Sequence, residues 1–173
     1  FDVQNGPVDP ADIWHDEDLG CYPAWPTGPD PMAVAKMVQV LLAATNPVIV
    51  CGGGAILAGA EGGLIRLAEQ LEIPVATTVS GKGSIPEDHP LAIGVVGSNG
   101  GVPETRCFMK EADLIVFIGC RAGSVTTERW RYPAPGAVKI AHIDSDPSVI
   151  GANYPTEVAM VGDAKLALAA LNA

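Results

Sequence analysis

Three short runs in this chain carry groups that could hold a phosphate-bearing ligand. Gly52-Gly53-Gly54 lets the backbone turn sharply without a Cβ clash and can point N–H groups at an anion lodged in the turn. Arg121 offers a planar guanidinium, which engages phosphate oxygens through two parallel hydrogen bonds. Asp144, in Asp144-Ser145-Asp146-Pro147, can accept from ribose hydroxyls or an adenine amine. Each has a plainer reading: a tight turn with no ligand, a surface ion pair, and an Asx turn or helix cap that suits Asp146 better than Asp144. Against the dinucleotide fingerprint G-x-G-x-x-G/A, Gly52 and Gly54 match, but Leu57 fills the third slot. The fingerprint's acid is also missing, because the next apolar run ends in Ser80-Gly81. Gly81-Lys82-Gly83-Ser84 can bring an ammonium to a phosphate, yet it lacks the P-loop spacing.

No Ser/His/Asp, Cys/His or paired-acid spacing emerges, so no residue is assigned a catalytic role. His89, set among Pro86, Glu87, Asp88 and Pro90, reads as a surface group. Cys21, Cys51, Cys107 and Cys120 form no C-x-x-C pair and no metal-like spacing with His15, His89 or His142, as expected of reduced thiols in the cytoplasm. Gly94, Gly97, Gly100 and Gly101, with Ser98 and Asn99 among them, suggest a backbone that closely approaches a ligand or neighbour. Arg129-Trp130-Arg131-Tyr132 reads as a packing or interface patch.

The elements that must position these groups follow from periodicity. Val48 to Cys51 is a continuous apolar run, as in a parallel strand buried on both faces. Beyond the glycines, Leu64, Leu67, Ala68 and Leu71 recur at helical spacing. Further strands are expected at 74–79, at 113–119 as the central one, at 139–143 and at 157–161. Helices are expected over 103–110 and from an Asp163 cap to Leu171. Asp30-Pro31 predicts a helix N-terminus, with Val34, Met37, Val38, Leu41 and Leu42 as its core stripe. Strands alternating with helices predict an α/β parallel sheet with helices on both faces.

At 173 residues, 48% hydrophobic, the chain is long enough for one α/β domain with a real core. Its formal net charge of −10 argues against a nucleic-acid partner, and no apolar run approaches the ~20 residues that span a bilayer. Residues 1–30 hold seven acids, five prolines and no Lys or Arg, the composition of an extended connector. Trp14, Tyr22 and Trp25 predict that parts of it lie against a folded surface. Residues 31–173 form the domain. The opening Phe1-Asp2-Val3-Gln4 predicts a piece of something longer.

Five motifs in order, Asn46-Pro47-Val48-Ile49-Val50-Cys51-Gly52-Gly53-Gly54, Pro74-Val75-Ala76-Thr77-Thr78, Gly81-Lys82-Gly83-Ser84-Ile85-Pro86-Glu87-Asp88-His89-Pro90, Ala112-Asp113-Leu114-Ile115-Val116-Phe117-Ile118-Gly119-Cys120-Arg121 and His142-Ile143-Asp144-Ser145-Asp146-Pro147, resemble the central domain of thiamine-diphosphate-dependent enzymes, the acetolactate synthase group in particular. The resemblance implies a Rossmann-like, three-layer α/β/α domain with a six-stranded parallel sheet, lying between two catalytic domains of one polypeptide. It implies FAD, ADP or nothing in this domain, with Gly52, Gly53 and Gly54 toward phosphates or a ribityl chain and Thr77 and Thr78 nearby. Gly97 and Ser98 would line the same groove, Arg121 would bind phosphate and Asp144 would reach the adenosine end. Cys120-Arg121-Ala122-Gly123 departs from the family's FAD-binding Gly-Ala-Arg-Phe-Asp-Asp-Arg run.

The same resemblance implies a parent enzyme that uses thiamine diphosphate and Mg2+, decarboxylates a 2-oxo acid and joins the two-carbon unit to an acceptor. It would work as a homodimer or homotetramer. The glutamate and Gly-Asp-Gly motifs that hold that cofactor and metal belong to the flanking domains, so this piece alone is expected to be inactive. Two other readings stay open: a stand-alone adenine-nucleotide-binding or regulatory module, and a flavin- or NAD-linked deacylase relative.

Overall fold

The computed structural model describes residues 6–20, 24–99 and 101–173. Phe1-Asp2-Val3-Gln4, Cys21, Tyr22 and Gly100 lie outside the described residues. The folded body opens with α1 (Pro31–Ala43), whose start is set by the Asp30 carboxylate accepting from Met32 N–H at 2.6 Å and by Pro31 in the first turn. Then come β1 (Pro47–Cys51), α2 (Gly53–Leu57), α3 (Glu61–Leu71), β2 (Val75–Thr77), β3 (Ala92–Val95), α4 (Pro103–Glu111), β4 (Leu114–Ile118), β5 (Lys139–Asp144), β6 (Val158–Val161) and α5 (Ala164–Leu171). The six strands are all parallel, in the order β3-β2-β1-β4-β5-β6. This is the doubly wound order, with its switch point between β1 and β4.

Two apolar layers follow from strand alternation. Ile49, Cys51, Val116, Ile118 and Ile143 face the layer of α1, α3 and α5, together with Leu64, Leu67 and Ala68 of α3. Val48, Val50, Ile115, Phe117 and Ile140 face the other layer, with Met109 of α4 and Tyr154. All five residues of β4 are buried, as a central strand requires. Burying Phe117 alone contributes about 1.5–3 kcal/mol.

Several expectations are corrected by the structure. The helix after the glycines is two helices, because α2 starts within the glycines and breaks before Glu61. The second strand stops at Thr77, and Val79 is 55% exposed. The glycine-bearing stretch after Leu91 contains a sixth strand, β3, that alternation did not reveal. Gly94, at φ +91, lies within this edge strand, and its pairing with β2 skips between Val75 and Ala76. Helices do not alternate with strands throughout: the β2–β3, β4–β5 and β5–β6 connections run as turns. Pro86 and Pro90, then Pro133 and Pro135, then Pro147 and Pro155 interrupt any helix there. Among the described residues α4 is therefore the regular helix of the second layer, and turns cover the rest.

The segment before α1 is anchored at its end rather than by Trp14 and Trp25. Asp163 N–H donates to Thr27 O at 2.9 Å, whereas Trp14 and Trp25 are 80% and 68% exposed. His89 is half-buried rather than a surface group: its Nδ1 accepts from Leu91 N–H at 3.2 Å and its Nε2 lies 3.3 Å from Glu69 Oε1 on α3. No helix among the described residues is long and apolar enough to cross a membrane.

Candidate functional site

At the switch point the carboxyl ends of β1 and β4 are crossed by backbone rather than separated by side chains. A Cβ on Gly52 would lie 2.2 Å from Gly119 O, so nothing larger than glycine fits there. Gly52 N–H donates to Ile118 O at 2.9 Å and Gly54 N–H to Gly119 O at 3.0 Å. These two amides are thus engaged by β4, and the glycines serve first as the crossing of two βα turns. Gly119 answers from the other side with φ +55, and its N–H reaches Ile143 O on β5 at 2.9 Å.

That crossing brings the turn after β4 alongside the turn after β5. A cavity of about 220 Å3 opens between them, lined by Gly54, Leu57, Arg121, Asp144, Asp146 and Asp163 among others. Arg121 is exposed at its mouth and makes no ion pair within 4 Å among the described residues, so the surface-bridge reading is not realised. Its two flanking peptide oxygens are held: His142 Nε2 donates to Cys120 O at 2.8 Å, and Asn153 Nδ2 donates to Arg121 O at 2.9 Å. His142 is buried with its ring against Phe117. Desolvation lowers its pKa, partly offset by the bond to Cys120 O and the Asp144 charge. The Cys120 thiol is pushed up to about 11, chiefly by burial, and burial raises Cys51 further still.

The acids are each tied by backbone donors. Asp144 Oδ1 accepts from Asp146 N–H at 3.0 Å, an Asx turn that uses one of its two carboxylate oxygens. Asp146 Oδ1 accepts from the Ser148 hydroxyl and N–H at 2.6 and 2.9 Å; these bonds, and the nearby Arg121 charge, hold its pKa below the usual carboxylate value. Asp163 Oδ1 accepts from Leu166 N–H at 3.0 Å and caps α5. The expectation that Asp146 is the turn-former holds, but Asp144 forms a turn as well.

The nine residues singled out from the sequence do not share one cavity. Gly54, Arg121 and Asp144 meet in the switch-point pocket, while Gly52 and Gly53 buttress it from the β1 turn. Thr77 lines a separate cleft at the β2–β3 edge. Thr78 is buried, with its Oγ1 accepting from Gly81 N–H at 3.0 Å. Gly97 lies against Val125 beside a narrow cleft near Arg106, and Ser98 is exposed, with its N–H donating to Val125 O at 2.9 Å. Asp163 and Leu57 were missed as pocket residues; the position of Asp163 just beyond the last strand was the available signal.

Residues 34–171 match the family described as "Thiamine pyrophosphate enzyme, central domain". The chain is 43% identical over 170 residues to a probable acetolactate synthase large subunit of Methanocaldococcus jannaschii, covering 95% of this chain and 28% of that protein. It is 45% identical over 138 residues to a probable acetolactate synthase large subunit of Methanococcus aeolicus, covering 80% of this chain and 23% of that protein. Among solved structures, a putative thiamin diphosphate-dependent enzyme from Mycobacterium smegmatis superposes with a TM-score of 0.68 at 28% identity, covering 85% of this chain and 28% of that one. The chain thus spans less than a third of the length of these relatives. With its strand order, its glycine crossing and this match over most of its length, the chain belongs to the thiamine pyrophosphate enzyme central-domain family.

Proposed function

We propose that this chain is the central domain of an acetolactate synthase-like enzyme that uses thiamine diphosphate and Mg2+ to decarboxylate a 2-oxo acid and join the remaining unit to an acceptor. The observation that carries this reading is the 43% identity, sustained over 95% of the chain, to a probable acetolactate synthase large subunit. Residues 1–30 act as the connector from a preceding catalytic domain and residues 31–173 as the domain itself. Thiamine diphosphate and the metal belong to flanking catalytic domains of the same polypeptide. The parent works as a cytoplasmic homo-oligomer, and the acidic chain takes no nucleic acid.

Within the domain, the switch-point pocket is the place for a nucleotide end. Arg121 would engage phosphate, Asp144 Oδ2 would accept from a hydroxyl or amine, and Gly54 would let the ligand approach the backbone. A volume of about 220 Å3 lies below the ~300–1,000 Å3 usual for a complete drug-sized ligand. The residues therefore fit the adenosine and phosphate portion of ADP or FAD better than an extended dinucleotide. Gly52 and Gly53 would support that portion from the β1 turn, whereas Thr77, Thr78, Gly97 and Ser98 lie outside that cavity.

The test compares the isolated chain with the complete polypeptide, supplied with pyruvate, thiamine diphosphate and Mg2+. The complete polypeptide should turn pyruvate over, and the isolated chain should neither do so nor bind the cofactor in calorimetry. Micromolar, magnesium-dependent cofactor binding by the isolated chain would overturn the assignment of that site to the flanking domains.

A further inference from the structure

The β2–β3 edge holds a cleft of about 340 Å3 that shares no lining residue with the switch-point pocket. It opens where the pairing skips: Val75 faces Ala92 and Ala76 faces Gly94, so Ile93 is left out of register and the edge strand turns away. Val75, Ile85, Ala92, Val95 and Val102 make its walls apolar. Three polar side chains, Thr77, Lys82 and Glu87, interrupt them. Thr77 is 6% exposed, and its hydroxyl has no hydrogen-bond partner among the described residues. The Thr78 hydroxyl, by contrast, is occupied by Gly81 N–H. At the rim stands Lys82, whose ammonium is held by the exposed Glu87 carboxylate.

The Thr77 hydroxyl is not among the fully buried side-chain atoms that lack a partner, so it keeps accessible surface at the cleft wall, where a ligand oxygen can reach it. The Lys82–Glu87 pair shows what chemistry the rim accepts, since a carboxylate of the protein already sits on the ammonium. We propose that this cleft is a second binding site, for a small monocarboxylate with an aliphatic body of about five or six carbons. The ligand's carboxylate takes the Lys82 ammonium in exchange for Glu87 and accepts from the Thr77 hydroxyl, while its carbons lie on the accessible Ala92, Val95 and Val102. A phosphate would bring two charges to a single cation, and an amine would meet Lys82 with like charge.

The test uses the complete polypeptide with labelled Ile and Val methyl groups, titrated with hexanoate, hexanol and hexylamine while the Ile85, Val75, Val95 and Val102 methyl resonances are followed. Hexanoate should shift them saturably, hexanol about tenfold more weakly because it lacks the charge-assisted contact, and hexylamine not at all. Glu87→Gln frees Lys82 and should tighten hexanoate severalfold without changing hexanol, a gain that misfolding cannot mimic. Thr77→Val should weaken hexanoate, and Ala92→Leu, which fills the cleft, should abolish all shifts. The methyl resonances of Ile49 and Ile118 report whether each variant keeps its core. Absence of shifts up to tens of millimolar, equal response to all three probes, or no tightening in Glu87→Gln would each overturn the proposal.

Discussion

Replacing Arg121 with Ala separates the phosphate role of the switch-point pocket from its adenosine role. The side chain is exposed and makes no ion pair among the described residues, so its loss removes little that holds the fold. The turn itself stays clamped, because His142 holds Cys120 O and Asn153 holds the Arg121 carbonyl through backbone atoms that alanine retains. What disappears is one charge-assisted contact, worth about 1.5–3 kcal/mol, or roughly 10- to 150-fold in affinity. Exposure at the mouth favours the lower end, so ADP should weaken about tenfold. Adenosine, which has no phosphate, should bind the variant as it binds the parent. Calorimetric titration of both proteins with both ligands reads this directly, with circular dichroism confirming the fold. If the parent binds ADP and the variant binds it equally well, or if adenosine weakens in parallel, the phosphate role of Arg121 is wrong.

Three further outcomes are expected. Gly52→Ala should cost at least the ~1–3 kcal/mol of ordinary overpacking, since its Cβ would lie 2.2 Å from a backbone oxygen; a urea midpoint unchanged from the parent would refute the crossing as described. His142 has a folded pKa below its ordinary 6.5, so the unfolded state binds the proton more readily. Its contribution to stability is therefore complete above 6.5 and is lost as the pH falls from there toward the folded value. His142→Phe should remove that part of the slope, as urea midpoints of both proteins from pH 7.5 downward will show. The amides of residues 6–20 should exchange with deuterium long before those of β1, because the residues described there are exposed; comparable protection would make this stretch part of the folded body.

Local pattern was sufficient wherever the physics is local. The runs at Val48 and Leu114 are apolar without alternation because both faces of a central parallel strand are covered, and Val48 to Cys51 and Leu114 to Ile118 are all buried. Asp30 and Asp163 were legible as caps because a carboxylate one turn before an apolar stripe satisfies helix N–H groups wherever the helix lies. The five ordered motifs also carried the family. β3 escaped because an edge strand needs neither a continuous apolar run nor strict alternation, and Gly94 at positive φ masks what little remains.

Convergence of the site was a different matter, since it depends on which strand ends become neighbours. Gly54, Arg121 and Asp144 lie far apart in sequence and meet because β1, β4 and β5 are adjacent in the sheet order. Thr77 and Gly97 have equally suggestive sequence contexts, yet they face other clefts on the β2–β3 side. The glycines show the division most clearly. Their types permit a phosphate cradle or a close backbone crossing with equal ease, and the packing of the β1 turn on Gly119 commits the Gly52 and Gly54 amides to the sheet. Residue types thus defined what each group could bond to, while strand order and register decided which groups share a cavity and which amides remain free to bind anything.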